Sequence, residues 1–379
     1  MFLAVIGGGM TPETRPVSHV SGPARHPGMP VTRRTRRPRP LLWVGRAVIG
    51  LGCTALLGWM ALAIYFDFSL LGPSWLRAGL VALVPVGAGV ALWRVRPLRW
   101  VVAGILGAFV VVLALWLAIP PSNARDWQPD VATLAFADIR GDHVIVHNVR
   151  NAEYRTETDY TVRLEDRALD LSKLRSLDLF LIYWGSPLIA HTIMSWGFEG
   201  DQYLAISIET RKEKGEEYSA LRGFFRQYEL VFVVADERDV VRLRTNVRGE
   251  DVYVYRLDAS PAEAGELLRR YLREINELRE RPQWYNALTG NCTTAIMRLA
   301  RAGGRRSWWS WRLIVNGYFD ELAYDLGAID RSLPFAALKA KSHVNDRAKA
   351  ANDDPRFSVR IREGLPRMAS DRGGAGVTR

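Results

Sequence analysis

The stretch LIAHTIMSWGFEGDQYLAISIE, residues 188–209, contains two apolar runs on either side of a short polar segment. Branched and aromatic residues fill both runs, 188–196 and 203–209, which is typical of β-strands. The stretch Trp196-Gly197-Phe198-Glu199-Gly200-Asp201, where the first run ends, has a composition that favours a turn. The stretch therefore predicts a β-hairpin, and the rest of the fold can be built outward from it.

Similar patterns on both sides of this hairpin predict the remainder of the domain. Runs rich in Val, Ile, Leu and Tyr predict strands at 143–149, 178–184, 229–235 and 251–257. Helices are predicted at 261–280, 291–302 and 312–327. The first of these helices begins at Ser260-Pro261 and places Leu267, Leu268, Tyr271, Leu272, Ile275 and Leu278 on one face. The predicted class is α+β, with a mainly antiparallel sheet packed on helices.

Three long apolar runs precede this domain, at 41–66, 75–93 and 98–119. Each is long enough to cross about 30 Å of hydrocarbon. Residues 1–40 contain seven Arg and one acidic residue, and the link 94–99 is also basic. Because positive charge remains on the cytoplasmic side, this pattern predicts three transmembrane helices in a bacterial inner membrane. Residues 1–40 then form a disordered cytoplasmic tail, and the chain after Pro120 is periplasmic.

The distribution of charge argues against nucleic acid as a partner. The chain has a net charge of +11, but residues 120–379 contain 39 basic and 38 acidic residues. The excess positive charge flanks the apolar runs and indicates membrane orientation rather than affinity for phosphate backbones. We therefore expect a periplasmic domain at 120–340 with no nucleic-acid partner, followed by a mobile tail at 341–379.

The chain has only two cysteines, and the predicted topology separates them. Cys53 lies in the first apolar run, whereas Cys292 lies in the outer domain, directly before an apolar-periodic segment. A thiol at a helix N-terminus has a lowered pKa, because the helix dipole stabilises the thiolate. Cys292 is thus a candidate nucleophile. The alternative is an inert buried cysteine that packs as a small apolar residue.

His191, in the first strand of the hairpin, is the candidate general base. A single histidine on a strand is more often structural, but a strand histidine facing a cysteine at a helix start is the papain-like arrangement. We expect the hairpin to bring Ser207 or Ile208 opposite His191. Ser207 and Glu209 share one face of their strand, and Glu209 is favoured to orient the imidazole. Alternatively, Glu209, Arg211 and Glu213 form an ion-pair lattice.

Five motifs occur in the order expected for a known family. They are Asn148–Thr156, Ala190-His191-Thr192, Ser207–Glu213, Asn276-Glu277-Leu278, and Tyr285-Asn286 through Asn291-Cys292-Thr293-Thr294. Together they resemble the Lnb N-terminal periplasmic domain family over roughly 130–305. That family is similar to circularly permuted, papain-like enzymes of the NlpC class, in which the histidine precedes the cysteine. Lecithin retinol acyltransferase shares this order. The three membrane spans depart from the simple export signal of the family.

The resemblance implies bacterial lipoprotein N-acylation through a thioester, with Cys292 as nucleophile and His191 as base. A phospholipid would donate the acyl chain and a lipoprotein would accept it, with no cofactor. No metal site is predicted, because His143, His147 and His343 have no metal-ligand spacing with a cysteine. The residues predicted to bind substrate are Asn291, Ser207, Arg211, Arg150 and Tyr285. Arg150, with Asn151 and Arg155, would hold a phosphate headgroup, or would serve as a structural hydrogen bonder.

Two other functions fit the same residues. A cell-wall amidase or peptidase of the NlpC-like class would need an open polar cleft, whereas an acyltransferase needs an apolar slot close to the bilayer. A non-catalytic envelope-binding module would lose nothing on replacement of Cys292. The tryptophans at 308, 309 and 311, with Arg305, Arg306 and Arg312 nearby, indicate either membrane contact or a helix packing face.

Overall fold

The fold is taken from a computed structural model, which describes residues 40–94, 97–286 and 310–366. Several predictions concern residues outside these ranges. They are the disordered tail up to residue 39, the helix at 291–302 with Asn291 and Cys292, and the last part of the predicted tail, 367–379.

Three long helices begin the described chain: α1, Pro40–Asp67; α2, Ser74–Arg94; and α3, Leu98–Leu117. Each contains a segment long and apolar enough to cross a membrane, namely Val44–Asp67, Ser74–Ala91 and Leu98–Leu117. The chain divides into two compact units at Leu51. The described part of the first unit is the beginning of α1, and the second unit contains everything from Gly52 onward. Within the second unit, Trp116 of α3 donates a hydrogen bond to Asp67 of α1 at 2.7 Å.

The domain that follows is built on a sheet of eight strands. The strands along the chain are β1, Phe136–Arg140; β2, His143–Arg150; β3, Glu153–Tyr154; β4, Tyr160–Thr161; β5, Leu164–Asp170; β6, Leu174–Tyr183; β7, Ala190–Phe198; β8, Gln202–Arg211; β9, Glu229–Ala235; and β10, Asp251–Arg256. Their order in the sheet is β1-β2-β9-β8-β7-β6-β10, with β5 also paired to β2, while β3 and β4 form a separate pair. Neighbouring strands are antiparallel except β2 and β9. The prediction of an α+β fold with a mainly antiparallel sheet is confirmed.

The predicted hairpin is strands β7 and β8. Phe198 pairs with Gln202, so the turn is only Glu199, Gly200 and Asp201, and the predicted turn residues Trp196, Gly197 and Phe198 belong to β7. Gly200 and Asp201 both have positive φ, the left-handed conformation that glycine and aspartate tolerate best. A second detail of the prediction was wrong, because Ser207 pairs with Ile193 rather than lying opposite His191.

Helices cover both faces of the sheet. They are α4, Glu237–Arg242; α5, Pro261–Glu280; α6, Phe319–Asp325; α7, Phe335–Ser342; α8, Asn345–Ala350; and α9, Phe357–Arg360. Helix α5 packs on one face through the apolar stripe that the sequence predicts, and it begins with a capping box between Ser260 and Glu263. Residues of α4, α8 and α9 pack on the opposite face.

Two predictions after α5 need correction. The single helix expected at 312–327 is instead two short 3₁₀ turns, Trp311–Leu313 and Asn316–Tyr318, followed by α6. The mobile tail expected from 341 does not begin there, because residues up to 366 form packed elements. Val344, Ala348, Phe357 and Ile361 are fully buried against the sheet. Val344 and Ala348 are four apart, as are Phe357 and Ile361, and each pair lies among charged residues, so the pattern is too short to stand out from the sequence.

Candidate functional site

His191, Ser207 and Glu209 form a connected row on one face of the hairpin. Nε2 of His191 lies 2.6 Å from the Ser207 hydroxyl. The same hydroxyl lies 2.8 Å from Oε1 of Glu209, and Nε2 of His191 is 3.7 Å from that oxygen. Ser207 is fully buried, and His191 is only 9 % exposed. The predicted pairing of His191 with the Ser207 and Glu209 face is therefore present, with Ser207 between the two ionisable groups.

The geometry of the row determines where its protons lie. An ionised Glu209 only accepts hydrogen bonds, so the Ser207 hydroxyl donates to it. The hydroxyl has one proton and must then accept from His191, which places a proton on Nε2 of the imidazole. In the neutral ring, Nδ1 is consequently the basic nitrogen. Within the residues that the structure describes, no hydrogen bond to Nδ1 is found.

Arg244 keeps Glu209 ionised. Its guanidinium lies 3.3 Å from Glu209 and 3.2 Å from Glu250. Burial raises the pKa of the Glu209 carboxyl, but the positive charge of Arg244, supported by His191, Arg150 and the Ser207 hydrogen bond, outweighs burial. The pKa of Glu209 therefore lies well below its usual value. A permanently charged Glu209 stabilises both the Ser207 bridge and a protonated imidazole.

The role of Arg244 is not apparent from the sequence. It lies in a π-helical turn, Leu243–Val247, that continues α4. Its neighbours Leu243 and Thr245 are buried, so the turn packs on the domain rather than extending into solvent. A π-turn shifts the register of side chains by one position relative to an α-helix. No feature of the local sequence shows that shift, so the inward placement of Arg244 was not predictable.

The site lies at one particular end of the sheet. His191 is the second residue of β7, Glu209 is near the end of β8, and Glu229 begins β9. Because these neighbouring strands are antiparallel, the start of β7, the end of β8 and the start of β9 lie at the same end. We call this end the site end of the sheet.

The chain segment that contains Asn291 and Cys292 is attached to the site end at both of its described flanks. Before it, the amide of Tyr285 donates to Tyr228 O at 2.9 Å, directly ahead of β9. After it, the Asn316 side chain bonds to both backbone polar groups of Ala190, at 3.0 and 2.7 Å. Asn316 thus takes the place of a strand partner beside His191. Cys292 itself lies outside the described residues.

The linker from the membrane helices reaches the same end. Trp284 donates to the carbonyl of Ile119, two residues after α3, at 3.1 Å. The amide of Ser122 bonds to Glu229 at 3.1 Å. The end of α3 is therefore held directly against the site end of the sheet.

Arg211 and Tyr285, both predicted to bind substrate, have structural contacts. Arg211 is buried and donates to the carbonyls of Val131 and Ala132 and to the Asn123 side chain. Burial lowers its pKa to about 10, with Glu229 acting in the opposite direction. Arg211 therefore attaches the linker to the sheet. Tyr285 is half-buried and packs against the core around α5.

Arg150 also has a structural role. Its guanidinium makes a two-pronged ion pair with Asp239 of α4, with both hydrogen bonds at 2.8 Å, and both groups are buried. Its remaining nitrogen donates to the Asp130 carbonyl. All three nitrogens are used inside the protein, which fits the structural alternative and not the headgroup-binding one. Arg155 is exposed and pairs with Asp159.

The ion-pair lattice considered for Glu209, Arg211 and Glu213 does not form. Arg211 bonds to carbonyls and an amide, as described above. Glu213 instead pairs with Arg125 at 2.9 Å. The carboxylate of Glu209 is therefore committed to the His191 row and to Arg244.

A cavity of about 830 Å³ lies away from His191. It is formed by the β7–β8 turn around Gly200, the start of α4 and the segment around Arg356. Strand β7 runs from His191 to this turn, so the cavity is near the opposite end of the sheet. Its lining includes several arginines, among them Arg163, Arg167, Arg238, Arg242 and Arg356. His191, Ser207 and Glu209 are not part of it.

Comparison with known proteins supports the predicted family. Residues 160–317 match the family model described as the Lnb N-terminal periplasmic domain. The matched range includes His191, Ser207, Glu209 and the position of Cys292. No curated protein and no solved structure matches the chain. Together with the three apolar helices, the match identifies the periplasmic domain of a membrane protein.

Proposed function

We propose that this chain, whose residues 160–317 belong to the Lnb N-terminal periplasmic domain family, is a cysteine acyltransferase anchored in the bacterial inner membrane. Cys292 is the proposed nucleophile and His191 the general base, in a permuted papain-like arrangement. The observation that carries the proposal is the His191–Ser207–Glu209 row at the end of the sheet where the membrane linker is attached. The proposed acyl donor is a phospholipid, and the proposed acceptor is the terminal amine of a lipoprotein.

The His191–Ser207–Glu209 row leaves His191 with an unprotonated ring nitrogen, which a general base for a thiol requires. With a proton held on Nε2 by Ser207, Nδ1 of His191 can take the proton of the Cys292 thiol. The imidazolium that results is stabilised by Glu209, 3.7 Å from Nε2, whose own charge is maintained by Arg244. A general base of this kind accelerates a reaction about 10²- to 10⁴-fold.

The positions of the flanking residues support contact between the two groups. Cys292 follows Tyr285 by seven residues, a length of chain that extends to at most about 25 Å. Tyr285 is bonded beside the start of β9, two strands from β7 in the sheet. Two strand spacings amount to about 10 Å. The thiol can therefore reach His191 without any rearrangement of the described core.

The proposed reaction has two balanced steps. In the first, the sulfur attacks the carbonyl carbon of a lipid ester and its proton moves to His191. The ester C–O bond then breaks, and the departing alcohol oxygen takes that proton. In the second, the acceptor amine attacks the thioester, its proton passes to His191, and the C–S bond breaks as sulfur is protonated again. An acyl chain has moved from oxygen to nitrogen with no cofactor.

The location of the row favours a lipid donor over a cell-wall substrate. Ile119, two residues after α3, accepts a hydrogen bond from Trp284 beside β9. A site held this close to the end of a membrane span is at the level of lipid headgroups. The cavity at the opposite end of the sheet is open and polar, but it does not contain His191.

The proposal is tested by intact-mass measurement of the full chain in nanodiscs containing phosphatidylethanolamine. We expect the mass of one acyl chain to be added, and to be lost again when a lipopeptide with a free amine is supplied. Cys292→Ser should prevent the adduct, whereas Cys53→Ser, the matched control at the other cysteine, should retain it. His191→Asn should slow adduct formation at least about 10²-fold.

Three outcomes would contradict the proposal. An adduct that survives Cys292→Ser would place the chemistry elsewhere. An adduct that passes only to water would make the protein a thiol-dependent lipid hydrolase. Absence of any adduct, with cleavage of peptidoglycan fragments instead, would favour the amidase or peptidase function.

A further inference from the structure

The exposed apolar side chains of the domain are concentrated at the site end of the sheet. Among the described residues after Pro120, eleven large apolar side chains are exposed. Eight of them lie on three segments: Trp184, Leu188 and Ile189; Tyr218, Leu221 and Phe224; and Trp311 and Ile314. We call these eight residues the apolar rim. A concentration of exposed apolar surface in one place marks an interaction site rather than ordinary surface composition.

The three segments are neighbours in space. The first joins β6 to β7, and the second joins β8 to β9, so both leave the sheet at the site end. The third is bonded to the first, because the amide of Gly317 donates to Leu188 O at 3.0 Å. The apolar rim therefore surrounds the sheet end where His191 lies.

The β8–β9 segment, at the site end of the sheet, contacts the membrane helix α1. Gln227 donates to Asp67, the last residue of α1, at 2.7 Å. Phe225 packs on Phe66 with ring centroids 5.4 Å apart, and on Trp59 at 6.5 Å. Trp59 precedes the end of α1 by eight residues, which is about 12 Å along a helix. The β8–β9 segment therefore contacts α1 not only at its end but also at Trp59, about 12 Å further into the predicted membrane span.

We propose that the apolar rim inserts into the outer leaflet of the bilayer that α1, α2 and α3 cross. The rim is a second membrane contact, formed by the folded domain and separate from the helical anchor. It holds the site end at the level where lipid ester groups meet water. This inference concerns a surface and does not depend on the acyltransferase chemistry.

The attraction is apolar rather than electrostatic. Among the described residues, three basic side chains near the rim are paired with acidic ones: Lys214 with Asp126, Arg222 with Glu216, and Arg312 with Asp325. Arg226, on the β8–β9 segment, donates to the carbonyls of Leu117 and Ile119. Tryptophan and tyrosine, which the rim contains, are the side chains that favour the interface between lipid and water. Insertion should therefore occur in a zwitterionic bilayer and should not require anionic lipid.

Spin labels on the full chain test the insertion. With Cys53→Ala and Cys292→Ser as background, single cysteines are placed at Leu188, Leu221 and Ile314, and labelled in phosphatidylcholine nanodiscs. Leu164 is the matched control: it is 41 % exposed, comparable with 49 % at Leu188, but lies at the other end of the sheet, where it pairs with Arg150. Collisions with oxygen report lipid, and collisions with a water-soluble nickel complex report water.

We expect oxygen collisions to dominate at the three rim positions and nickel collisions to dominate at Leu164. Adding phosphatidylglycerol should not change the rim values. Rim labels as accessible to nickel as the label at Leu164 would overturn the inference. Rim labels shielded from both reagents, with dipolar broadening between copies, would also overturn it, since the rim would then be a protein interface. The introduced residues are exposed, and the mobility of the Leu164 label shows whether the labelled chain is folded.

Discussion

The hydroxyl of Ser207 lies 2.6 Å from Nε2 of His191, and this contact decides which nitrogen of the neutral imidazole is left without a proton. Ser207 is connected in turn to Glu209, whose charge Arg244 maintains. His191, Ser207 and Glu209 are linked in series, but the Ser207 hydroxyl positions the imidazole ring and does not itself react.

Replacing Ser207 tests the positioning role. Ser207→Ala releases the ring from Glu209, and we expect acylation of Cys292 to slow about 10- to 100-fold, since misplacing a catalytic group by 1 Å costs about 10². The pH dependence of the rate should also change, because Nε2 loses its partner. The matched control is Ser195→Ala, which removes a buried hydroxyl of β7 bonded to Glu237. A rate equal to that of the control would contradict the role assigned to Ser207.

The charge of Glu209 has a signature in the pH dependence of stability. Its pKa in the folded protein is lowered from about 4.5, so its stabilising contribution is complete at neutral pH and is lost as the pH falls below that value. Glu209→Gln should reduce the free energy of unfolding at pH 7 by about 1.5–3 kcal/mol, the value of hydrogen bonds to charged groups. The difference from the unmodified chain should shrink below pH 4.5. Thermal unfolding in detergent measures both, and a difference independent of pH would show that folding does not lower the pKa of Glu209.

The buried pair of Arg150 and Asp239 predicts a loss of stability rather than of lipid binding. Removing one partner of such a pair leaves an uncompensated buried charge, so Arg150→Met should reduce the free energy of unfolding by about 3–5 kcal/mol. Arg155→Ala, at the exposed pair with Asp159, is the control and should leave stability unchanged. An Arg150→Met variant that folded normally but failed to bind phospholipid would instead support the predicted role of Arg150 in binding a phosphate headgroup.

Gly317 lies against the backbone of the loop before β7, with no room for a side chain. A Cβ at this position would overlap the Pro187 carbonyl oxygen and lie 2.6 Å from the Leu188 carbonyl carbon. Because these are backbone atoms next to the start of β7, Gly317→Ala should destabilise the protein by about 1–3 kcal/mol. It should also slow acylation by displacing His191. Gly265→Ala, in α5, has space for a Cβ and should be neutral or stabilising. Unfolding midpoints and acylation rates of the two variants provide the comparison.

Local sequence patterns were sufficient to predict most of the strands and the longest helix of the domain. The alternation and composition of short apolar runs predicted β9, Glu229–Ala235, and the hairpin of β7 and β8, because strands bury side chains with a period of two. Helix α5 was predicted with its bounds, since its cap and its apolar stripe are both encoded within the segment itself. The packed end of the chain, 341–366, was not predicted. Its few apolar residues are buried only because they pack on strands that are distant in the sequence.

By itself, the sequence determined the apolar membrane-helix candidates, the class of the fold, the resemblance to the Lnb N-terminal periplasmic domain family, and the choice of His191 with Ser207 and Glu209 as candidates. These features depend on composition, on periodicity and on motifs that are local in the chain. Only the tertiary structure decided that Ser207 stands between His191 and Glu209, that Arg244 holds the charge of Glu209, and that Arg150 and Arg211 are structural. The physical reason is that strand register, a π-turn and the pairing of buried charges depend on groups brought together by packing. No run of neighbouring residues specifies them.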